Sequence, residues 1–451
     1  MAHIQVLRAG IPDLKFFGNT FVGIELAERI PKGLLVAGYN HKTEDVSSHD
    51  RWIELMLRSR GVKLEYSPYA YQAAIGESVP GRKLTDIVQE TIRLSSGPVV
   101  INYHFAERDG KQDQVSYLPN KFGRDIRQVI HLHCSSEIYG RKFVDGRVVE
   151  SRDNKLSRQL MRALERGDVD KFIAVSYQVK ASYSGIIPEE AIEVVQNGIS
   201  EETYAYREEA DKEALKRQFG IRGKFLVGYC GRLDHKKGAV DLIEVIKWFN
   251  GHPEYDVGFL IASTKGDVLD TFEPQLNEQA QRMIQERRVG LIVDAAKYFT
   301  NVKKINEGTE AIFRNHIEAN LRPQCSLYRG VSPVPLQTMV DTYLLPSHFE
   351  AFGLSALEAI FTGTPVVAYR VGGLPELIQD PVSGTLVEFR TNEEERREEL
   401  ARAVVKSIEQ NYGLHGNIDK TGKRKMVREE MVSQFSSRVM ADKTQAIYEK
   451  L

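Results

Sequence analysis

Cysteine is scarce in this sequence, since Cys134, Cys230 and Cys325 are the only three among 451 residues. They lie far apart and show neither the paired spacing of a zinc site nor the density of a disulfide-stabilised scaffold. We therefore expect reduced, buried thiols. The sequence also lacks a G-x-G-x-x-G turn after any predicted strand, which argues against a nicotinamide dinucleotide enzyme.

Long apolar runs are missing as well. The first residues, MAHIQVLRAG, lack the apolar core of a signal peptide, and no stretch reaches the ~20 apolar residues of a membrane-spanning helix. The formal net charge of -1 does not favour nucleic acid or an acidic membrane as a partner. We therefore expect a cytoplasmic protein without a nucleic-acid partner or a transmembrane segment, and peripheral membrane contact stays open.

What the sequence does contain is a recurrent alternation of short apolar runs with amphipathic segments. Runs such as 98–102 (PVVIN) and 225–230 (FLVGYC) are apolar on both faces, which is typical of parallel strands buried between helices. The number of such runs exceeds what one small sheet needs. The pattern predicts an α/β fold with two doubly wound, Rossmann-like parallel sheets.

The predicted domain boundary lies at the turn dipeptide Asn197-Gly198, which an acidic and polar stretch follows. We predict an N-terminal domain over residues 1–198 and a C-terminal domain over 205–433. Residues 264–323 are long for one connection between strands and predict an insertion, in which 277–299 is expected to be helical. Oligomerisation through this insertion stays open.

The strongest chemical signal is the segment 343–376, YLLPSHFEAFGLSALEAIFTGTPVVAYRVGGLPE. It predicts a strand, a loop with Glu350 and Gly353, and a helix that bears Glu358. The N–H groups at the start of that helix suit an anion such as a diphosphate. Glu350 is then placed near a sugar attached to the diphosphate, and Glu358 near a ribose. The alternative is a pair of ordinary surface carboxylates.

A second segment, 225–238 (FLVGYCGRLDHKKG), predicts a strand that ends in a cationic turn. Doubly wound sheets bind their ligands at the carboxyl ends of the strands. Arg232 is suited to hold phosphate oxygens bidentately, and Lys237 is suited to act as a point charge. The alternative is a solvated basic turn.

Histidines mark a third segment, 129–136 (VIHLHCSS). His131 and His133 alternate along a predicted strand and therefore share one face. Such a pair can bind a metal, but no third or fourth ligand is evident in the sequence, so we predict no metal site. The alternative is one buried, hydrogen-bonded histidine and one histidine near the strand end. His104 ends the preceding predicted strand.

These segments together resemble the retaining glycosyltransferases of family four, which have the GT-B fold and include glycogen-synthase-like and mannosyltransferase-like group 1 glycosyltransferases. In that family two glutamates bracket a glycine-containing turn, as Glu350 and Glu358 do here. The resemblance covers most of the chain. It implies an N-terminal acceptor domain completed by a terminal helix at about 434–451, and a C-terminal domain that binds a nucleotide-sugar donor.

The resemblance also implies roles for single residues. Glu350 and His133 are the expected catalytic residues, with His133 facing the transferred sugar. The expected ligands of the donor diphosphate are Arg232, Lys237, Gly18, Phe352, Gly353 and Leu354. The expected contacts of ribose and base are Glu358, Arg329 and Val331. Gly18 follows Phe17 where the family usually has two adjacent glycines, so this loop departs from the pattern.

The implied reaction is transfer of a hexosyl group to a hydroxyl-bearing small molecule or glycan, with retention and without a metal or other cofactor. UDP-sugar is the commonest donor in the family. His104, Arg141 and Lys142 are candidate acceptor contacts, against the alternative of a solvated basic surface. The competing interpretations are a degenerate partner subunit that binds nucleotide sugar without turnover, and a sugar-nucleotide epimerase or a phosphorylase on the same fold.

Overall fold

The computed structural model describes residues 2–7, 18–38, 62–67, 84–104, 123–134, 141–144, 147–150, 155–206, 208, 213, 224–232, 235–264, 289–293, 334–413 and 421–451. The chain divides into two compact units. Unit 1 comprises Met1–Gly198 and Ser437–Leu451, and unit 2 comprises Ile199–Ser436.

Unit 1 is built on a parallel sheet. Its strands are β1 (Ala2–Leu7), β2 (Gly33–Gly38), β3 (Lys63–Ser67), β4 (Val99–Tyr103), β5 (Ile126–Leu132), β6 (Arg141–Val144), β7 (Arg147–Glu150), β8 (Lys171–Ala174) and β9 (Ile192–Val194). Its first helices are α1 (Gly18–Arg29), α2 (Leu84–Leu94), α3 (Lys155–Glu165) and α4 (Tyr177–Ser182). The sheet order is β3-β2-β1-β4-β5-β8-β9, and β6 and β7 form a separate antiparallel pair.

Unit 2 contains the second parallel sheet. Its elements are β10 (Phe225–Arg232), α5 (Ala239–Asn250), β11 (Val257–Thr264), β12 (Val289–Val293), α6 (Val334–Met339), β13 (Thr342–Leu345), α7 (Leu354–Phe361), β14 (Val366–Tyr369), α8 (Leu374–Leu377), β15 (Gly384–Val387), α9 (Glu393–Tyr412) and α10 (Thr421–Phe435). The sheet order is β12-β11-β10-β13-β14-β15. The predicted α/β class with two doubly wound parallel sheets is confirmed.

The apolar runs form strands because both of their faces are covered. In β4, Val99, Val100 and Ile101 have no solvent exposure, as expected for a central parallel strand. In unit 2 the apolar sides of α5 and α9 cover one face of the sheet, in a core that includes Ile246, Val404 and Tyr369. This packing fixes the strands in place. The loops at their carboxyl ends can therefore vary in sequence without disturbing the core.

The helix predicted over 277–299 is wrong in part, because Val289–Val293 is strand β12 and pairs in parallel with β11. Its sequence, VGLIV, is apolar and rich in β-branched residues, which suits an edge position beside β11. The predicted insertion therefore contributes a strand to the sheet of unit 2. The rest of the segment lies outside the described residues.

The last helix, α11 (Ser437–Tyr448), follows α10 after a break at Ser436 and belongs to unit 1. Met440, Ala441 and Ile447 on α11 share a buried apolar cluster with Val22 and Leu26 on α1. None of the helices in the described part of the chain combines the length and the apolar character that crossing a membrane requires.

Candidate functional site

Two of the predicted site residues of unit 2, Lys237 and Glu350, lie where its parallel strands end. Strands β10 and β13 are paired neighbours, so their carboxyl ends open to the same edge of the sheet. A 3₁₀ turn, His235–Lys237, follows β10, and the loop 346–353 follows β13. The backbone N–H of His348 donates to the carbonyl of Lys236 at 2.9 Å. This bond ties the two loops together.

Lys237 and Glu350 meet at this edge. The ammonium of Lys237 donates to Oε1 of Glu350 at 2.6 Å, and the two side chains are 29% and 11% exposed. A cation and a carboxylate so close to each other partly neutralise one another, and partial burial strengthens their attraction over that of an exposed pair. The structure therefore brings two of the sequence-predicted site residues into direct contact.

The helix predicted to bind the diphosphate begins beside this pair. Gly353 precedes α7 in a left-handed conformation, with φ of 99°, which glycine adopts without strain. A Cβ at Gly353 would lie 2.5 Å from Cδ2 of Leu374. Phe352 is buried and its ring lies 5.9 Å from that of Phe435. The amides of Gly353 and Leu354 thus stand at the N-terminus of an eight-residue helix, where backbone N–H groups attract anions.

A glycine pair fixes the backbone of Glu350. The N–H of Gly373 donates to the carbonyl of Glu350 at 3.0 Å. A Cβ at Gly372, whose φ is 53°, would lie 1.6 Å from the same carbonyl oxygen. The backbone of Glu350 therefore occupies space that only a glycine at position 372 leaves available.

Glu358 lies inside α7 and is 2% exposed. Its Oε2 accepts a hydrogen bond of 3.1 Å from Nε2 of Gln337 on α6. The hydroxyl of Thr364 donates to the carbonyl of Gln337 at 2.6 Å and so fixes that residue in turn. A buried carboxylate held in this way is preorganised as an acceptor for further donors. Sequence reasoning did not identify Gln337, because nothing local marks it.

Asp241 is a second residue that the sequence did not reveal. This carboxylate of α5 accepts hydrogen bonds from His348 at 2.9 Å, Arg397 at 2.7 Å and the Tyr369 hydroxyl at 2.9 Å. Burial raises its pKa, but the hydrogen bonds from His348 and Arg397 and the charge of Arg396 outweigh burial, so the pKa of Asp241 lies well below its usual range. Because His348 is two residues before Glu350, this ionised carboxylate steadies the loop that carries Glu350.

In unit 1 the structure brings together three histidines. Nδ1 of His104 lies 3.0 Å from Nε2 of His133, and the rings of His131 and His133 stack at a centroid distance of 4.9 Å. Burial lowers the pKa of His131 to about 3. Burial, assisted by the neighbouring histidines, also lowers the pKa values of His104 and His133 well below their usual range. All three rings are therefore neutral at pH 7.

His104 adds a third ring beside His131 and His133, a grouping that the sequence did not show. One ring nitrogen of each histidine lies within 4.8 Å of one ring nitrogen of each of the other two. Zinc would need nitrogens about 2.0–2.1 Å from one common point, yet His131 and His133 stack nearly face to face, with 19° between their ring planes. His104 and His133 already contact each other. The arrangement fits hydrogen-bonded histidines better than a metal site.

Other predicted residues are only partly described. Gly18 is the first residue of α1, and Arg232 is the last residue of β10, with its side chain outside the described atoms. Arg141 and Lys142 lie in β6, also without described side chains. Arg329 and Val331 lie outside the described residues. Their expected contacts stay predictions.

The sequence profile of the family "Glycosyl transferases group 1" matches residues 306–424, which include Glu350, Gly353 and Glu358. The resemblance to the group 1 glycosyltransferases is confirmed. The match covers the carboxyl-terminal part of unit 2, from the segment before α6 to the start of α10. The paired glutamates that carry the sequence argument thus lie inside the segment by which group 1 glycosyltransferases are recognised.

Two curated proteins resemble this chain over part of its length. The chain is 25% identical over 293 residues to an alpha-maltose-1-phosphate synthase of Mycolicibacterium smegmatis, covering 62% of this chain and 63% of that protein. It is 51% identical over 65 residues to a D-inositol 3-phosphate glycosyltransferase of Saccharomonospora viridis, covering 14% of this chain and 15% of that protein. The chain thus spans less than two thirds of the length of these relatives.

The fold is shared with solved glycosyltransferase structures. Anabaena Alr3699/HepE, whose crystal structure contains UDP and glucose, matches with a TM-score of 0.62 at 16% identity, and the match covers 100% of both chains. This likeness supports the GT-B architecture of two Rossmann-like parallel sheets for this chain.

Proposed function

We propose that this protein is a retaining glycosyltransferase that moves a hexosyl group from a nucleoside-diphosphate sugar to a hydroxyl acceptor. The contact that carries the proposal is the 2.6 Å hydrogen bond between Lys237 and Glu350. It joins a cation suited to a diphosphate and a carboxylate suited to a sugar at one sheet edge, beside the N-terminus of α7. The family match over this segment supports the same reading.

The chemistry separates charge. The bond between the anomeric carbon and the β-phosphate oxygen breaks, so negative charge grows on the diphosphate and positive charge on the sugar ring. Lys237, Arg232 and the amides at the start of α7 stabilise the first, and Glu350 stabilises the second. The acceptor oxygen bonds to the anomeric carbon, and its proton passes to the leaving diphosphate. In this proposal protein cations neutralise the phosphates, so no metal or other cofactor takes part.

UDP-sugar is the donor we propose. The support is that the Anabaena neighbour of the same fold holds UDP and glucose in its crystal structure. Glu358 binds the ribose in this proposal, because a buried carboxylate held by Gln337 is an acceptor for hydroxyl groups. In this proposal unit 1 binds the acceptor, and His133 faces the transferred sugar. The competing function is a degenerate subunit that binds the nucleotide without turnover.

The proposal is tested by thermal-shift screening with UDP, GDP, ADP and dTDP and their sugar conjugates. A ligand at 100 times its dissociation constant adds about 2.7 kcal/mol to the free energy of unfolding. We expect a shift with one nucleotide, its loss in Glu358→Gln, and its persistence in the surface control Glu244→Gln. Release of that nucleotide from the sugar conjugate, with product of unchanged anomeric configuration by NMR, completes the test.

Two outcomes would contradict the proposal. Binding without release of the nucleotide, in the presence of sugar, lipid and polyol acceptors, would favour the degenerate subunit. Conversion of the nucleotide sugar to its epimer without an acceptor would favour the epimerase.

A further inference from the structure

One face of the unit 1 sheet carries a buried polar layer. Its members alternate along three neighbouring strands or directly follow them: His3, Gln5, Asn102, His104, His131 and His133. All six are at most 9% exposed. Both faces of a parallel sheet are usually apolar, and a buried polar group is costly unless it is hydrogen-bonded. Valine or isoleucine at these positions would fill the same layer without that requirement.

The direction of hydrogen bonding in this layer is set at its first member. Nε2 of His3 lies 3.0 Å from the carbonyl oxygen of Ile30. A carbonyl only accepts, so this nitrogen carries the proton. Burial lowers the pKa of His3, so the ring is neutral and its Nδ1 is an acceptor. Nε2 of Gln5, 2.9 Å away, donates to it.

The same logic continues through the amide of Gln5. With its nitrogen facing His3, its Oε1 faces Nε2 of His104 at 2.7 Å. The oxygen only accepts, so Nε2 of His104 carries the proton and Nδ1 of this neutral ring is an acceptor. Nε2 of His133, 3.0 Å from that Nδ1, must donate. The lone pair of His133 is therefore left on Nδ1.

The side-chain nitrogen of Gln5 that faces His3 also contacts Tyr448 on α11. Its hydroxyl oxygen accepts from Nε2 of Gln5 at 3.2 Å and from Nδ2 of Asn102 at 2.7 Å. Nδ2 of Asn102 also lies 3.2 Å from Nδ1 of His131, while Oδ1 of Asn102 and Nε2 of His131 are buried without a hydrogen-bond partner among the described residues. Reversing the amide of Gln5 would turn the carbonyl of Ile30 and the lone pair of His3 toward each other. The chain of hydrogen bonds from His3 through Gln5 and His104 to His133 therefore has one consistent polarity.

We propose that Gln5 is a positioning residue that, through His104, holds His133 in the Nε2–H tautomer, so that Nδ1 offers a lone pair to a substrate hydroxyl. The inference deepens the proposed function, on which the identity of the hydroxyl rests. The tautomer itself rests only on the contacts within unit 1. It predicts that the sugar or acceptor hydroxyl at His133 donates its hydrogen, whereas the opposite tautomer would demand an acceptor.

The test is ¹⁵N NMR of the histidine-labelled protein without substrate, with signals assigned by single histidine replacements. Long-range ¹H–¹⁵N correlations distinguish a protonated ring nitrogen from one with a lone pair. We expect His3, His104 and His133 all to carry the proton on Nε2. A His133 protonated on Nδ1, or a His133 whose Nε2 binds a metal and carries no proton, overturns the proposal. The tautomers are read from the unsubstituted protein, and the replacements serve only to assign its signals.

Gln5→Met removes the amide while keeping an unbranched side chain of similar length. We expect an Nδ1–H population of His133 to appear. We also expect kcat/KM for the nucleotide sugar to fall about threefold to tenfold, the worth of one hydrogen bond, with nucleotide affinity unchanged. Gln128→Met is the matched control, because Gln128 is also buried in β5 and hydrogen-bonded to Tyr103, on the opposite face of the sheet.

The two failures are distinguishable. A fixed Nε2–H tautomer of His133 in a protein that turns over no nucleotide sugar contradicts the proposed function. It does not contradict the positioning of His133 by Gln5 through His104. If Gln5→Met does not change the tautomer of His133, the positioning role of Gln5 is wrong, whatever the activity.

Discussion

The ammonium of Lys237 and the carboxylate of Glu350 share a hydrogen bond of 2.6 Å. They come from two loops, one after β10 and one after β13, that the parallel pairing of these strands brings to the same sheet edge. In the proposed reaction the two residues have different roles, since Lys237 binds the diphosphate and Glu350 stabilises the sugar. The diphosphate must therefore compete with Glu350 for the cation when the donor binds.

Lys237→Met is expected to reduce turnover by roughly 10²–10³, because a preorganised group that stabilises the leaving diphosphate contributes about 2.7–4 kcal/mol to lowering the barrier. The measurement is steady-state release of the nucleotide from the donor. The matched control is Lys247→Met, since Lys247 also pairs with a glutamate, Glu244, at 2.8 Å, but on the surface of α5. A loss below about fivefold in Lys237→Met would contradict the assigned role.

Glu350→Gln is expected to change binding and turnover in opposite directions. Removing the charge weakens the attraction between residue 350 and Lys237, so the free nucleoside diphosphate should bind about two- to fivefold more tightly, in line with the worth of a partly exposed ion pair. Turnover should fall by about 10² because the charge that stabilises the sugar ring is lost. Calorimetric titration with the nucleotide and kinetics with the donor measure the two effects. Weaker nucleotide binding in this variant would show that Lys237 and Glu350 do not compete.

Gly372→Ala tests the backbone support of Glu350. The added Cβ would lie 1.6 Å from the Glu350 carbonyl oxygen at a φ of 53°, so the loop must move. We expect a loss of about 3 kcal/mol or more in the free energy of unfolding, together with lower turnover. Gly167→Ala isolates the conformational cost, since Gly167 has a φ of 68° and no described atom within 4 Å of the added Cβ. It should lose about 1–2 kcal/mol, and equal losses in the two variants would refute the steric argument.

The sequence predicted those features that local patterns encode. The apolar runs predicted two parallel sheets. The strand–turn–helix pattern predicted that Glu350, Gly353 and Glu358 lie at one sheet edge. The residues it missed are buried polar groups whose partners are distant in the chain: Asp241 meets Arg397, and Gln337 meets Glu358. No periodicity marks a polar residue as buried until the fold supplies its partner. The strand β12 was missed because its five residues follow a helical pattern in sequence.

The buried histidines of unit 1 make its stability depend on pH. Burial lowers the pKa of His131 from 6.5 to about 3. Between these values the unfolded chain binds the proton and the folded chain does not, so acid favours unfolding. The contribution of neutral, buried His131 to the free energy of unfolding is fully present above the unfolded pKa of 6.5. Below that pH the free energy of unfolding falls by up to about 1.4 kcal/mol per pH unit for this one group. His131→Leu should remove that share of the slope, whereas His235→Leu, at an exposed position, should retain it. Urea unfolding at pH 5, 6 and 7.5 measures the slopes. Equal slopes for His131→Leu and the unsubstituted protein would mean that His131 takes up its proton in the folded state as readily as in the unfolded chain.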